Sequence, residues 1–269
     1  MGWMGTINTA GIAGGPLAGG LAAEVDWRLA YYLIILMTVA AVALFLGGFA
    51  QRPAPERRRA GLLAELGAAS RVRALRLVCL GGFSAFFAYG AALTFVGNAL
   101  EVAPFGYSEA TIGTAIASGG LAGILVSPGA GWVADRLGRG RSSVIGFSLA
   151  ALAYLGFGLA GTLPAVLLLF FMLGAAMAFT WAGLMTLSVE VIPGARNISS
   201  TLFNATRFSG YALAPYLLVF IYTTSGLAYV LAVSAAMAVL GLAAAVAISR
   251  REGADAPARR PVSSGKAGP

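Results

Sequence analysis

The sequence predicts an all-α membrane protein with about eight transmembrane helices, and three observations predict it. The chain is 59% hydrophobic and only 10% charged, far more apolar than a soluble domain tolerates on its surface. Its apolar residues fall in runs of roughly 20, the length that crosses about 30 Å of hydrocarbon as a helix. Its 37 glycines suit helices packed in lipid, where small residues let backbones approach and van der Waals contact replaces the hydrophobic drive.

In chain order the runs cover residues 2–23, 29–49, 77–100, 111–134, 143–161, 164–189, 198–222 and 227–248. The first lacks a preceding basic region and is broken by Gly14, Gly15 and Pro16, so it reads as a span rather than a signal peptide. Residues 1–49 then form a two-span hairpin and 50–76 a linker. Residues 77–248 form a complete six-span unit, and 249–269, rich in Pro, Gly, Ser and Arg, a tail expected to be disordered. Within the linker Leu62, Leu63, Leu66 and Ala69 recur at helical spacing between flanking arginines. That pattern predicts a short helix on the lipid surface, its basic flanks drawn to anionic headgroups. A solvated linker is the plainer alternative.

Arginine sets the orientation, because cytoplasmic loops hold the excess of basic residues. Arg52, Arg57, Arg58, Arg59, Arg71, Arg73 and Arg76 fall in the linker, Arg136, Arg139 and Arg141 in a second connection, and Arg196 in a third. Arg250, Arg251, Arg259, Arg260 and Lys266 lie in the tail. These connections alternate, and the intervening ones contain only Arg28. Both termini are therefore expected in the cytoplasm, with the protein in the inner (plasma) membrane.

The same residues exclude several functions. The net charge of +8 comes in short bursts without aromatic interleaving, so nucleic acid is not the partner. There is no His, and the single Cys79 sits inside an apolar run. Imidazole catalysis, the usual zinc sites and an intrachain disulfide are ruled out, and the acidic residues stand singly at helix ends. No cofactor, metal site or enzymatic activity is expected.

A repeat runs through the chain. Gly11-x-x-x-x-Pro16 matches Gly210-x-x-x-x-Pro215, and Arg28-Leu-Ala-Tyr-Tyr-Leu33 matches Gly226-Leu-Ala-Tyr-Val-Leu231, at a nearly constant offset of about 199 residues. If spans one and two repeat spans seven and eight, the unit is six spans and the parent twelve. The first copy then lacks its first four helices.

Three motifs resemble the major facilitator superfamily. Gly11-Ile-Ala-Gly-Gly-Pro-Leu-Ala-Gly-Gly20 is similar to the antiporter motif in the fifth helix of that family's drug efflux members, followed by Asp26-Trp27-Arg28 at the next outer turn. Gly131-Trp-Val-Ala-Asp-Arg-Leu-Gly-Arg-Gly-Arg141 resembles the family's loop signature between paired helices, in its C-terminal occurrence. Glu190-Val-Ile-Pro193 with Arg196 resembles the loop before the eleventh helix. The resemblance covers the chain except its tail. It implies the last eight helices of a twelve-helix fold, N-terminally truncated, from a proton-coupled exporter of small amphipathic molecules that works by rocking two six-helix bundles about a midplane site. Two other functions remain open: a non-transporting membrane partner completed by helices from another chain, and a metabolite importer of the same superfamily.

Each motif also has a physical reading. Gly11, Gly15, Pro16, Gly19 and Gly20 present a face nearly free of side chains to a neighbouring helix, and Pro16 frees a carbonyl and bends the helix. By resemblance, that bend restricts leakage and favours exchange. In the loop, Gly131 opens the signature, Gly138 permits a tight turn, and Asp135 is placed to pair with Arg136 or Arg139. Such a cluster would latch one conformation and break in the other.

One charge lies deep. Arg207 is nine residues past Ile198, about 14 Å into the membrane at about 1.5 Å per residue. An arginine at that depth faces a polar cavity or a partner, and Asn204, one turn earlier, shares its face. No carboxylate of the chain reaches comparable depth: Glu101 and Glu109 lie toward the outer side and Glu190 toward the inner. Arg207 therefore meets an acidic group on the absent helices, meets an anionic substrate, or snorkels to the cytoplasmic face. Proton coupling, if the carrier has it, resides in the absent part. Asn8, Tyr89, Asn98, Thr180 and Trp181 are further candidates for the cavity wall, each equally readable as helix packing.

Overall fold

The computed structural model describes residues 2–48 and 61–255, and the regular elements among them are all α-helices. They are α1 (Gly2–Val25), α2 (Trp27–Gly48), α3 (Leu62–Arg71), α4 (Arg73–Glu101), α5 (Glu109–Leu137), α6 (Arg139–Phe157), α7 (Leu163–Glu190), α8 (Arg196–Ser225) and α9 (Leu227–Asp255). Eight long helices thus stand where eight spans are expected, with α3 as the linker helix. Six of them, α2, α4, α5, α6, α7 and α9, are long and apolar enough to cross a membrane. The other two are glycine-rich α1 and α8, whose first half is polar from Asn197 to Ser209. Arg52 and Arg57 to Arg59, and the tail beyond Asp255, lie outside the described residues.

Three boundaries differ from the expectation. No loop separates the fourth and fifth spans: α5 runs to Leu137, α6 begins at Arg139, and Gly138 alone turns the chain at φ 104°. That backbone conformation is open to glycine and strained for other residues. Asp135 and Arg136 are therefore in the last turn of α5 and Arg139 opens α6. The linker yields its end to α4, which takes in Arg73 and Arg76. The third difference is the tail, which stays helical from residue 249 to Asp255, because Glu252 is tied back to α6 as described below.

Helices α4 to α9 form one bundle. α4 packs mainly on α8 and α9, α7 mainly on α5 and α6, and α6 on α9. This pairing is unchanged when α4, α5 and α6 are exchanged for α7, α8 and α9, and α4 and α7 run in opposite senses. The unit is thus built as two three-helix halves in inverted orientation. Small residues set the spacing. A Cβ at Gly174 of α7 would overlap the Gly119 carbonyl of α5, and a Cβ at Gly210 would lie 2.6 Å from the Phe83 carbonyl oxygen of α4, so those backbones touch directly. Between them sit buried Phe147, Tyr154, Phe170, Leu173 and Phe203.

The hairpin α1–α2 rides on the outside of this bundle through α1, which packs along α5. It has the outline of α8–α9: a proline inside the first helix, Pro16 or Pro215, and a one-residue corner, Asp26 or Gly226. Asp26 caps its corner by accepting the Arg28 N–H at 2.9 Å, and Gly226 makes the same corner at φ 86°. α2 contains no buried residue, and its apolar side chains from Trp27 to Leu46 are broadly exposed.

Candidate functional site

Arg207 lies in the interior of α8, about 16 Å from its Arg196 end at about 1.5 Å per residue. The polar first half of α8 turns Asn204 and Arg207 to one face, and the Arg207 Nε–H donates to Asn204 Oδ1 at 2.8 Å. Three rings surround the guanidinium. Its central carbon is 4.2 Å from the ring centre of Phe208 on α8, 4.3 Å from Trp181 on α7 and 4.8 Å from Phe86 on α4. Phe86 also contacts Trp181 and Phe208, each at 6.1 Å between ring centres. Trp181 leans on buried Phe203.

This geometry discriminates among the readings of Arg207. Trp181 is about 14 Å from the Glu190 end of α7, and Phe86 is about 20 Å from the Arg73 end of α4, at about 1.5 Å per residue. Three helices thus hold the guanidinium a third to a half of the way along their length. Snorkelling, which would carry the charge to the end of its helix, does not occur. The rings stabilise the charge, a cation–π contact contributing about 0.5–2 kcal/mol according to its exposure. They do not satisfy its hydrogen bonds. Of the five guanidinium N–H donors, Asn204 takes one, and no carboxylate among the described residues pairs with Arg207. Arg207 is only partly buried, which leaves its remaining donors accessible from outside these helices.

The other cavity-wall candidates divide. Trp181 joins the Arg207 site. Thr180 is buried in the bundle, facing Gly146 of α6, Tyr89 packs against the buried core around Ala92 and Tyr154, and Asn98 accepts the Tyr222 hydroxyl at 2.8 Å near the Glu101 end of α4. The side chain of Asn8 lies outside the described residues. Phe86 and Phe208 were not foreseen. Nothing in one sequence distinguishes Phe86 from the other phenylalanines of an apolar helix, whereas Phe208, next to Arg207, was there to be noticed.

The switch cluster is rewired relative to the expectation. Arg139 forms its ion pair with Glu190, the last residue of α7, not with Asp135. Arg136 lies with its guanidinium carbon 5.0 Å from the Trp132 ring centre, and Asp135 is exposed. Because the chain turns at Gly138 alone, Arg139 starts a new helix and points toward α7, while Asp135 stays on α5. A second carboxylate completes the corner: Glu252 Oε2 accepts the Gly140 N–H at 2.8 Å, capping the N-terminus of α6, where carboxylates are favoured.

The antiporter-motif residues divide too. Pro16 and Gly20 meet α5: a Cβ at Gly113 would lie 2.5 Å from the Pro16 carbonyl oxygen, and one at Gly20 2.6 Å from that of Glu109. Gly11, Gly15 and Gly19 have nothing within 4 Å of an added Cβ, so they do not form the expected packing face against a described helix. Residues 16 and 20 lie one turn apart on one face, and residues 11, 15 and 19 lie along a different one.

Residues 78–268 match the family model described as Major Facilitator Superfamily. No curated protein matches the chain.

Proposed function

The chain belongs to the major facilitator superfamily, a family of secondary carriers of small molecules, and we propose that it forms part of an exporter whose substrate reaches Arg207. The observation that carries this reading is an arginine held at mid-span by Asn204 and three rings, without a carboxylate partner among the described residues. Membrane proteins place such a charge on a substrate or ion path. Export is supported by the resemblance of the Gly11–Gly20 segment to the antiporter motif, whose Pro16 and Gly20 pack on α5. Proton coupling belongs to the same proposal. The arginine-rich ends of the helices, with both termini, are assigned to the cytoplasm of the inner membrane.

In this reading α4 to α9 are one complete bundle, and α1–α2 is the closing hairpin of a second bundle whose remaining helices lie outside these 269 residues. α2, with no buried residue, favours such a neighbour. The same observation supports a second reading, in which the chain is a non-transporting subunit that docks its hairpin on another polypeptide.

Dye efflux tests the proposal. Cells expressing the protein are loaded with carboxyfluorescein, Nile red and ethidium, and retention is followed over time. Gene-dependent loss of any dye, abolished by Arg207→Gln, is the expected result. Unchanged efflux in Arg207→Gln rejects the site, and retention equal to that of empty cells for every dye favours the subunit reading.

A further inference from the structure

The surroundings of Arg207 specify the class of molecule it takes. Its ring neighbours lie 4.2 to 4.8 Å from the guanidinium carbon, and Asn204 occupies Nε. What remains is the planar fork of terminal N–H groups, whose geometry matches the two oxygens of a carboxylate. One turn further along the same face, Tyr211 is 41% exposed and, with Phe208 at 54%, continues the aromatic surface away from the charge. Asn204, Arg207, Phe208 and Tyr211 are spaced as one helical stripe.

Charge decides between two ligands that aromatic surfaces commonly hold. A cage of rings by itself suits an organic cation. Here Arg207 already fills that cage, and a second positive charge a few ångströms away would be repelled. A neutral ring compound would leave the terminal N–H groups without an acceptor. An anion with a flat apolar body satisfies both halves of the stripe.

We propose that the Arg207 site binds aryl monocarboxylates, the carboxylate on the guanidinium fork and the ring along Phe208 and Tyr211. The proposal rests on the carrier reading above and names the substrate class of that site. It excludes cationic amphiphiles as substrates.

Binding to the purified 269-residue chain in lipid nanodiscs, measured by calorimetry, tests it with four probes: naphthoate, naphthalenemethanol, naphthyltrimethylammonium and acetate. Naphthoate is expected to bind at least tenfold more tightly than the alcohol or acetate, and the cation not to bind. Arg207→Lys should weaken naphthoate about tenfold through loss of the paired geometry, and Arg207→Gln should bring it to the level of the alcohol. Tyr211→Ala, which leaves the charge in place, should reduce naphthoate binding severalfold and leave acetate unchanged, and it keeps the test valid if Arg207→Gln does not fold. Equal affinity for naphthoate and the alcohol, preference for the cation, or naphthoate binding unaltered in a folded Arg207→Gln protein overturns the proposal. Efflux separates the two readings. Absent naphthoate binding with dye efflux still dependent on Arg207 removes the substrate class alone, whereas efflux independent of Arg207 removes both.

Discussion

Glu252, near the end of α9, accepts the backbone N–H of Gly140 in the first turn of α6 at 2.8 Å. The two residues are 112 positions apart, and the bond joins the last helix to the corner at Gly138. A carboxylate on a helix N-terminus combines a charge-assisted hydrogen bond with the helix dipole.

Glu252→Ala should therefore lower stability by about 1–2 kcal/mol, whereas Arg251→Ala, on an exposed side chain, should change it little. Thermal unfolding in detergent, followed by the reaction of half-buried Cys79 with a thiol-reactive fluorophore, reads the difference. Equal melting of the two variants would show that the α9 extension does not hold the corner.

Gly113 and Gly15 should respond in opposite ways to alanine. At Gly113 the new Cβ meets the Pro16 carbonyl oxygen at 2.5 Å, an overpacking worth about 1–3 kcal/mol. At Gly15 it meets nothing within 4 Å, and the gain in helix propensity approaches about 1 kcal/mol. Hydrogen exchange of α1 and α2 peptides should accelerate in Gly113→Ala and stay level or slow in Gly15→Ala; acceleration in both would place the α1 contact face elsewhere.

The Arg139–Glu190 pair should contribute little to stability. Its side chains are 29% and 44% exposed, and exposed pairs are worth about 0–1 kcal/mol. A double-mutant cycle with Arg139→Gln and Glu190→Gln, read by unfolding in detergent, should give a coupling energy in that range. A coupling above about 3 kcal/mol, the scale of a buried pair, would contradict it.

Topology is open to a direct check. In a Cys79→Ala background, Thr224→Cys in the last turn of α8 and Arg251→Cys near the end of α9 each place a single thiol at an exposed position, on opposite sides of the bundle. A membrane-impermeant maleimide added to intact cells should label the first and not the second. The reverse pattern would invert the assigned orientation.

Helix number, order and approximate ends were legible in the sequence, because hydropathy over some 20 residues is a local property and the bilayer imposes it directly. So was the shared face of Asn204 and Arg207, since both sit on one helix at a spacing of three; the hydrogen bond between them came from the structure. The α3 helix followed from the same kind of local pattern. Which faces meet was another matter. Helices that are apolar all round carry no stripe marking their inner side, so nothing local chose Pro16 and Gly20 over Gly11, Gly15 and Gly19 as the contact with α5. The partner of Arg139 depended on the chain turning at one residue, and the rings of Phe86 and Trp181 reach Arg207 only because α4, α7 and α8 are rotated to bring them there. The deep charge was thus written in the chain, while its cage was decided by the packing of backbones that small residues allow to come close.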